Sequence, residues 1–496
     1  MAIESFKELL EVLDTTNREW PAFLFRKMTS VEVIGSSGEV RRRRHDLQTV
    51  TFHELYRTVK TKSEELKQKS SQCVGVCASV SPEWVVDVFS AAIAGKRVVL
   101  FDHAMADDLE NIVLQTGMDS LYTDYPRIRM QFENLMKNQN VIATRKKMLR
   151  DYLDDRLFPD PNAIEESGKL LFFTSGSTRK SKPVVLSQRA LLRSAMSGKK
   201  MVDCTEKDIV LSMLPLENVF GFVCSLLIPL TQGATVALSR GSRYYSEDPA
   251  FFRPSLMPVV PSLLKYLLKE HALNKELRTI VVGAGPCDMK DMEAVWRRGI
   301  DVRFGYGLTE TAGGIALSGQ GEDPFTMQVC PDAKIRIAED GEIFVKTPAM
   351  MDGYFHDSEQ TQKKLMNGEL ATGDIGYLDE QGGLHIRGRK DDVIVLSDGK
   401  NVHLTDWEDD LEKILRAKVA LISVGGELEL VVGASELRRT EIKELVDEYN
   451  DRAVDRQIVN VRLHPEPFPM TETGKLQRWK LGEECLEKIG TNGNAG

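Results

Sequence analysis

The feature that most limits what this chain can fold into is an alternation. Short, bulky apolar runs recur between stretches whose apolar residues have helical spacing. Residues 73–80, 98–101, 170–173, 209–214, 235–238, 279–282 and 302–306 read as buried strands. Residues 82–94, 106–116, 221–230, 261–270 and 289–297 read as helices. Strand–helix–strand repetition builds a parallel sheet with helices on its faces. Such sheets bind ligands in the crevice at the carboxyl ends of their strands. The loops after Phe173, Val282 and Phe304 are therefore expected to line one site.

The flanks differ from this pattern. Residues 1–60 hold two helical patterns around a polar, hairpin-like middle, and Thr51 followed by Glu54 forms a capping-box start for the second. From Lys334 the sequence alternates apolar and polar residues around Asp-Gly and Gly-Gly turns, the signature of an antiparallel sheet. After Arg389 a smaller unit begins, with strands over 393–396, 419–424 and 428–432 and helices over 407–415 and 439–452. The expected fold is α/β. Residues 1–389 form a large domain of stacked parallel sheets plus a small antiparallel, barrel-like sheet, and residues 390–496 form a small mobile α+β domain. A chain of 496 residues exceeds what one core can organise.

Composition narrows the classes. The net charge of −9 is spread along the chain, which argues against a nucleic-acid binder, and the one basic run, Arg41 to Arg44, is short and has no aromatic partners. The N-terminus reads as an amphipathic helix rather than a secretory signal, and no apolar run reaches membrane-spanning length. Seven scattered cysteines, with Cys73 and Cys77 in one strand-like run, read as reduced core thiols. These features point to the cytoplasm. The tail 490–496 is Gly/Asn-rich and expected to be disordered.

Five motifs carry chemistry. The apolar run 170–173 breaks into Thr174, Ser175, Gly176, Ser177 and Thr178, then Arg179, Lys180 and Lys182. Open backbone N–H groups, hydroxyls and cations on one loop suit a polyphosphate, although a solvated Ser/Thr-rich turn would read the same way. Thr309 and Glu310 follow two glycines at a strand end, where the carboxylate could cap a turn or hold Mg²⁺ beside phosphate. Asp374, read on a tight turn in TGD, could accept two hydrogen bonds from a ribose diol or simply form the turn. Arg387 to Asp392, RGRKDD, joins the two units. Lys475 follows a glycine near the chain end, in PMTETGKLQR.

Taken in this order, the hydroxyl-rich loop, YGLTE, TGD, GRKDD and TGKLQR resemble the adenylate-forming superfamily of acyl-CoA synthetases, adenylation domains and luciferases, over nearly the whole chain. In motif texture they are nearest to long-chain acyl-CoA synthetases. The resemblance implies that ATP activates a carboxylate to an acyl-adenylate, releasing pyrophosphate. A thiol, of coenzyme A or of a carrier protein's phosphopantetheine, then displaces AMP. It further implies roles by matched position. Thr174, Ser175, Gly176, Ser177, Thr178 and Lys182 embrace pyrophosphate. Tyr306 lies near the adenine, Thr309 at the α-phosphate, and Glu310 on Mg²⁺. Asp374 holds the ribose hydroxyls with Arg389 close by, and Lys475 bridges the carboxylate and α-phosphate. The small domain turns about Asp391, bringing the segment around Gly399 to a thiol tunnel.

Two departures stand out. Arg179 and Ser181 replace the Gly and Pro that usually follow the hydroxyl run, and Val395 replaces a common Lys beyond the hinge. The resemblance places Asn218, Phe220, Gly221, Gly283, Ala284, Gly285 and Gly305 around the acyl group, the glycines leaving room or merely ending strands. Apolar Phe220, Val259 and Val260, with no pocket Asp, favour a fatty or other apolar acid. The expected function is an AMP-forming acyl-CoA synthetase. The alternatives are an enzyme loading a carrier protein and, on the evidence of Arg179, a nucleotide-binding protein with impaired catalysis.

Overall fold

The computed structural model describes residues 3–35, 38–137, 168–174, 182–285, 287–319, 325–390, 393–395, 401–424, 427–435, 437–452, 458–464, 467–470, 476, 478–483 and 487–490. Two sheets carry the bulk of the chain. The first has six strands, ordered Gly353–Tyr354, Pro183–Leu186, Leu170–Phe173, Arg97–Leu100, Cys73–Val76, Ser120–Tyr122. The last four run parallel, and Pro183–Leu186 turns back antiparallel on Leu170–Phe173. Strands buried on both faces need continuous apolar sequence, and all four residues of Cys73–Val76 and of Pro183–Leu186 are buried.

The second sheet begins with the long hairpin Pro21–Gly35 and Gly38–Thr51, which contains Arg41 to Arg44. It continues through the parallel strands Thr235–Leu238, Ile209–Ser212, Leu256–Val259 and Thr279–Val282 to Asp301–Leu308. That strand changes partner along its length. Asp301 to Phe304 pair parallel with Thr279–Val282, while Gly305 to Leu308 pair antiparallel with Gly313–Ser318. The sheet thereby passes without a break into antiparallel strands Met327–Val329, Leu384–Arg389, Glu369–Leu378, Glu342–Lys346 and Lys334–Ile337. So no loop follows Phe304. The turn comes five residues later, at Thr309–Thr311. Gly307 permits it, since a Cβ there would lie 1.7 Å from the Gly313 carbonyl oxygen.

Local chemistry sets the helix starts. Thr51 and Glu54 make the expected capping box for Phe52–Lys67, and Ser81 caps Pro82–Ile93 with proline in its first turn. The stretch read as one helix over 221–230 is a π-helix, Gly221–Leu227, running into a single α-turn, Ile228–Thr231. Gly221 is required there, because a Cβ would lie 2.2 Å from the Pro215 carbonyl oxygen. Phe222 on this element meets Phe172 of the first sheet at 5.4 Å, edge to face, and Phe6 stacks on Phe89 at 4.4 Å. The main core therefore lies where helices fill the space between the sheets.

The C-terminal unit has a four-stranded sheet, Val419–Val424, Glu427–Val432, Asn460–Leu463 and Glu487–Gly490. Helix Leu404–Leu415 buries Trp407, Leu411 and Leu415 in its core, with Val446 from helix Arg439–Arg452. Residues 491–496 lie outside the described residues. Cys73 and Cys77 are buried thiols, and burial pushes Cys77 up to about 12. Among the described residues no helix is long and apolar enough to cross a membrane.

Candidate active site

The mouth of the hydroxyl-rich loop is fixed by its own strands. Thr174 N–H donates to the Lys182 carbonyl at 3.0 Å, and Lys182 N–H donates to Thr174 Oγ1 at 3.2 Å. Ser175, Gly176, Ser177, Thr178, Arg179 and Ser181, as well as Asp391, Gly399 and Lys475, lie outside the described residues. Lys182 Nζ donates to Gln360 Oε1 at 3.3 Å and stands 5.2 Å from the Tyr354 ring centroid. Tyr354 in turn donates to Glu310 Oε1 at 2.6 Å. Glu310 sits on the Thr309–Thr311 turn, whose backbone is gripped by Met351 N–H donating to the Glu310 carbonyl at 2.8 Å. Lys182, Thr309 and Glu310 are thus brought to one place, with Tyr354 and Gln360 between them.

A second cluster adjoins it. Tyr306 donates to Asp374 Oδ2 at 2.6 Å, and Arg389 Nη1 donates to Asp374 Oδ1 at 2.7 Å. Asp374 is 4% exposed. Contrary to the sequence reading, it is not on a tight turn. It lies inside strand Glu369–Leu378, next to a break in register between Ile375 and Gly376, and opposite Arg389 on the neighbouring strand. Gly373, at φ +76°, makes the local kink, and Thr372 Oγ1 accepts from Asp374 N–H at 3.0 Å. Burial first, then the Asp374 charge, raises the Tyr306 hydroxyl well above the usual tyrosine range. Burial, then Glu310, does the same to Tyr354. Both hydroxyls stay protonated and act as donors. Next to Arg389, Lys390 is held by Asp340 and by Glu342, each at 2.7 Å, which pushes its ammonium up to about 12.

The acyl-pocket residues divide. Phe220 leans on Gly283, where a Cβ would be 2.9 Å from the ring and 3.4 Å from the Gly305 carbonyl oxygen. The space freed by glycine at 283 is therefore filled by Phe220, and a Cβ at Gly305 would lie 3.4 Å from Leu317 Cδ1. Ala284, at φ +67°, and Gly285 continue from the strand end. Gly221 answers to backbone packing, and Asn218 Oδ1 accepts from Phe220 N–H at 3.1 Å, holding the start of the π-helix. Arg478, read within the last motif, is an anchor: it donates to Glu408 Oε2 at 2.8 Å and to the Leu421 carbonyl at 3.2 Å inside the C-terminal unit.

Sequence reasoning missed Tyr354, Gln360 and Thr372. Tyr354 carries no local signal, since only its pairing with Pro183–Leu186 brings it to the loop. Thr372, two residues before Asp374, carries the local signal of an ST turn, its hydroxyl accepting from the backbone N–H two residues on.

The family model for AMP-binding enzymes matches residues 31–355. The chain is 30% identical over 338 residues to a 2-succinylbenzoate–CoA ligase of Listeria monocytogenes, covering 63% of this chain and 69% of that protein. A 2-succinylbenzoate–CoA ligase of Bacillus velezensis is 26% identical over 468 residues, covering 88% and 93%. The O-succinylbenzoate coenzyme A synthetase of Bacillus subtilis in complex with AMP superposes with a TM-score of 0.74 at 22% identity, covering 97% of this chain and 99% of that one. The family model and these relatives agree: the chain belongs to the AMP-binding enzyme family and is an ATP-dependent, AMP-forming acid–thiol ligase.

Proposed function

We propose that the protein joins a compact acid of the 2-succinylbenzoate class to coenzyme A, with magnesium and ATP. The observation that carries the acid class is the Phe220 ring lying across Gly283, with Leu317 over Gly305. A deep tunnel for a long acyl chain would need that space, whereas a short aryl acid needs an apolar floor with an aromatic wall. This departs from the fatty-acid expectation, and the curated relatives named above, which are 2-succinylbenzoate–CoA ligases, support the departure.

In this reading the carboxylate oxygen of the acid attacks the α-phosphorus of ATP and pyrophosphate leaves. The thiol sulfur then attacks the acyl carbon, the C–O bond to AMP breaks, and the thiol proton passes to solvent. Lys182 and Thr174 hold the pyrophosphate side at the loop mouth, and Thr309 faces the α-phosphate. Asp374 takes the ribose hydroxyls by exchanging its bonds from Tyr306 and Arg389. Lys475, Asp391 and Gly399 keep the roles given by the resemblance: charge stabilisation, hinge and thiol path. Glu310 is the residue that would hold magnesium. Among the described residues no group of three or more metal-ligating side chains gathers, and Glu310 Oε2 takes no hydrogen bond. A carboxylate oxygen that takes no hydrogen bond from the described residues fits an ion carried mainly on phosphate oxygens and water. Magnesium, when bound, offsets the negative charge of the phosphates.

The test is pyrophosphate release across a panel of 2-succinylbenzoate, benzoate, anthranilate and fatty acids, with and without coenzyme A. Turnover on the aryl acids with coenzyme A dependence supports the reading. Preference for long-chain fatty acids overturns it.

A further inference from the structure

Tyr354 stands between the two charged groups on the phosphate side of the site. It belongs to a two-residue strand whose neighbours are fixed by backbone bonds. Asp352 N–H donates to the Val185 carbonyl at 3.0 Å, and Phe355 N–H donates to the Pro183 carbonyl at 2.8 Å. Tyr354 N–H itself donates to Thr361 Oγ1 at 2.9 Å. The ring is 7% exposed, so its position is set by packing as well as by these bonds. Its face carries the Lys182 ammonium at 5.2 Å, and its hydroxyl occupies Glu310 Oε1 at 2.6 Å.

A glutamate has three rotatable bonds, and an unrestrained carboxylate sweeps a wide arc. Here Met351 holds the Glu310 backbone and Tyr354 holds one carboxylate oxygen, which fixes where the other oxygen points. The same ring sets the position of the lysine that closes the phosphate loop. We propose that Tyr354 is a positioning residue: it aims Glu310 Oε2 at the metal of the magnesium–nucleotide complex and holds Lys182 beside it. This inference rests on the reading of Glu310 as the magnesium-side carboxylate. Partners that orient a metal-binding group are worth about ten- to hundredfold in metal affinity or activity.

Tyr354→Phe separates the two functions, because it keeps the ring under Lys182 and removes only the hydroxyl. Calorimetry on the full chain would compare ATP binding with magnesium and with EDTA, for the parent, Tyr354→Phe, Glu310→Gln and the double variant, with thermal unfolding recorded alongside. The expected result is a loss of about tenfold or more in the Tyr354→Phe variant with magnesium, little change with EDTA, and no further loss in the Glu310→Gln background. Equal losses with and without magnesium overturn the proposal, as does unchanged affinity with magnesium. If Tyr354→Phe does not fold, Glu310→Gln decides: a variant that keeps the parent's magnesium dependence overturns it. A parent that binds ATP equally with and without magnesium refutes the site reading itself, whereas a magnesium-dependent parent with an unaffected Tyr354→Phe refutes this inference alone.

Discussion

The two halves of the proposed nucleotide site are built differently. On the ribose side, Asp374 is buried and both of its oxygens are occupied, by Tyr306 and Arg389. On the proposed phosphate side, Glu310 is half-buried and, among the described residues, one of its oxygens is taken, by Tyr354. The first cluster is a closed network that a ligand must enter by exchange. The second leaves one carboxylate oxygen without a hydrogen-bond donor among the described residues. The difference teaches that, in the proposed site, one carboxylate would serve both fold and function, while the other would be kept for function.

The strongest way to break this comparison is to remove the two acids in turn. Asp374→Ala takes from the buried Tyr306 hydroxyl its acceptor at 2.6 Å and from Arg389 the carboxylate at 2.7 Å. It should lower unfolding free energy by about 1–3 kcal/mol and abolish pyrophosphate release, as read by urea unfolding and a coupled phosphate assay. Glu310→Gln should suppress pyrophosphate release as strongly while costing less than about 1 kcal/mol of stability, because it keeps an acceptor for Tyr354. Equal stability losses from the two variants would erase the distinction.

A smaller effect sharpens the boundary of the ribose cluster. Lys390→Met removes the tie to Asp340 and Glu342. Because the lysine is 47% exposed, the cost should stay within about 1 kcal/mol. The sign follows from its raised ammonium: the stabilisation is complete below the ordinary lysine range and fades as pH rises through about 12. The parent and variant should therefore differ by the same amount in urea unfolding at pH 7 and pH 9. A difference that vanishes by pH 9 would contradict the ion-pair assignment.

Much of the architecture is visible in local chemistry. Thr235–Leu238 and Thr279–Val282 are read to the residue because a threonine and three apolar residues, all buried, between polar turns leave little alternative. Thr51 and Glu54 announce their helix for the same local reason. What stays hidden depends on residues distant in sequence. Tyr354 reaches Glu310 across 44 positions, and nothing in its own neighbours says so. Asp374 reads as a turn residue because Thr-Gly-Asp is turn chemistry, yet pairing with Leu384–Arg389 and Glu342–Lys346 draws it into a strand. Gly283 reads as room for a substrate until Phe220 is found against it.

The strand Asp301–Leu308 changes partners midway, and this couples two kinds of specificity. Gly305, beside the proposed acid pocket, and Tyr306, in the ribose cluster, are consecutive on one continuous piece of backbone. A side chain longer than a methyl at 305 would press on Leu317, the antiparallel partner of Gly305, one residue from Tyr306. Phe220, which immediately precedes the π-helix Gly221–Leu227 and lies on a different element, offers a separate place from which to reshape the acid side of the proposed site.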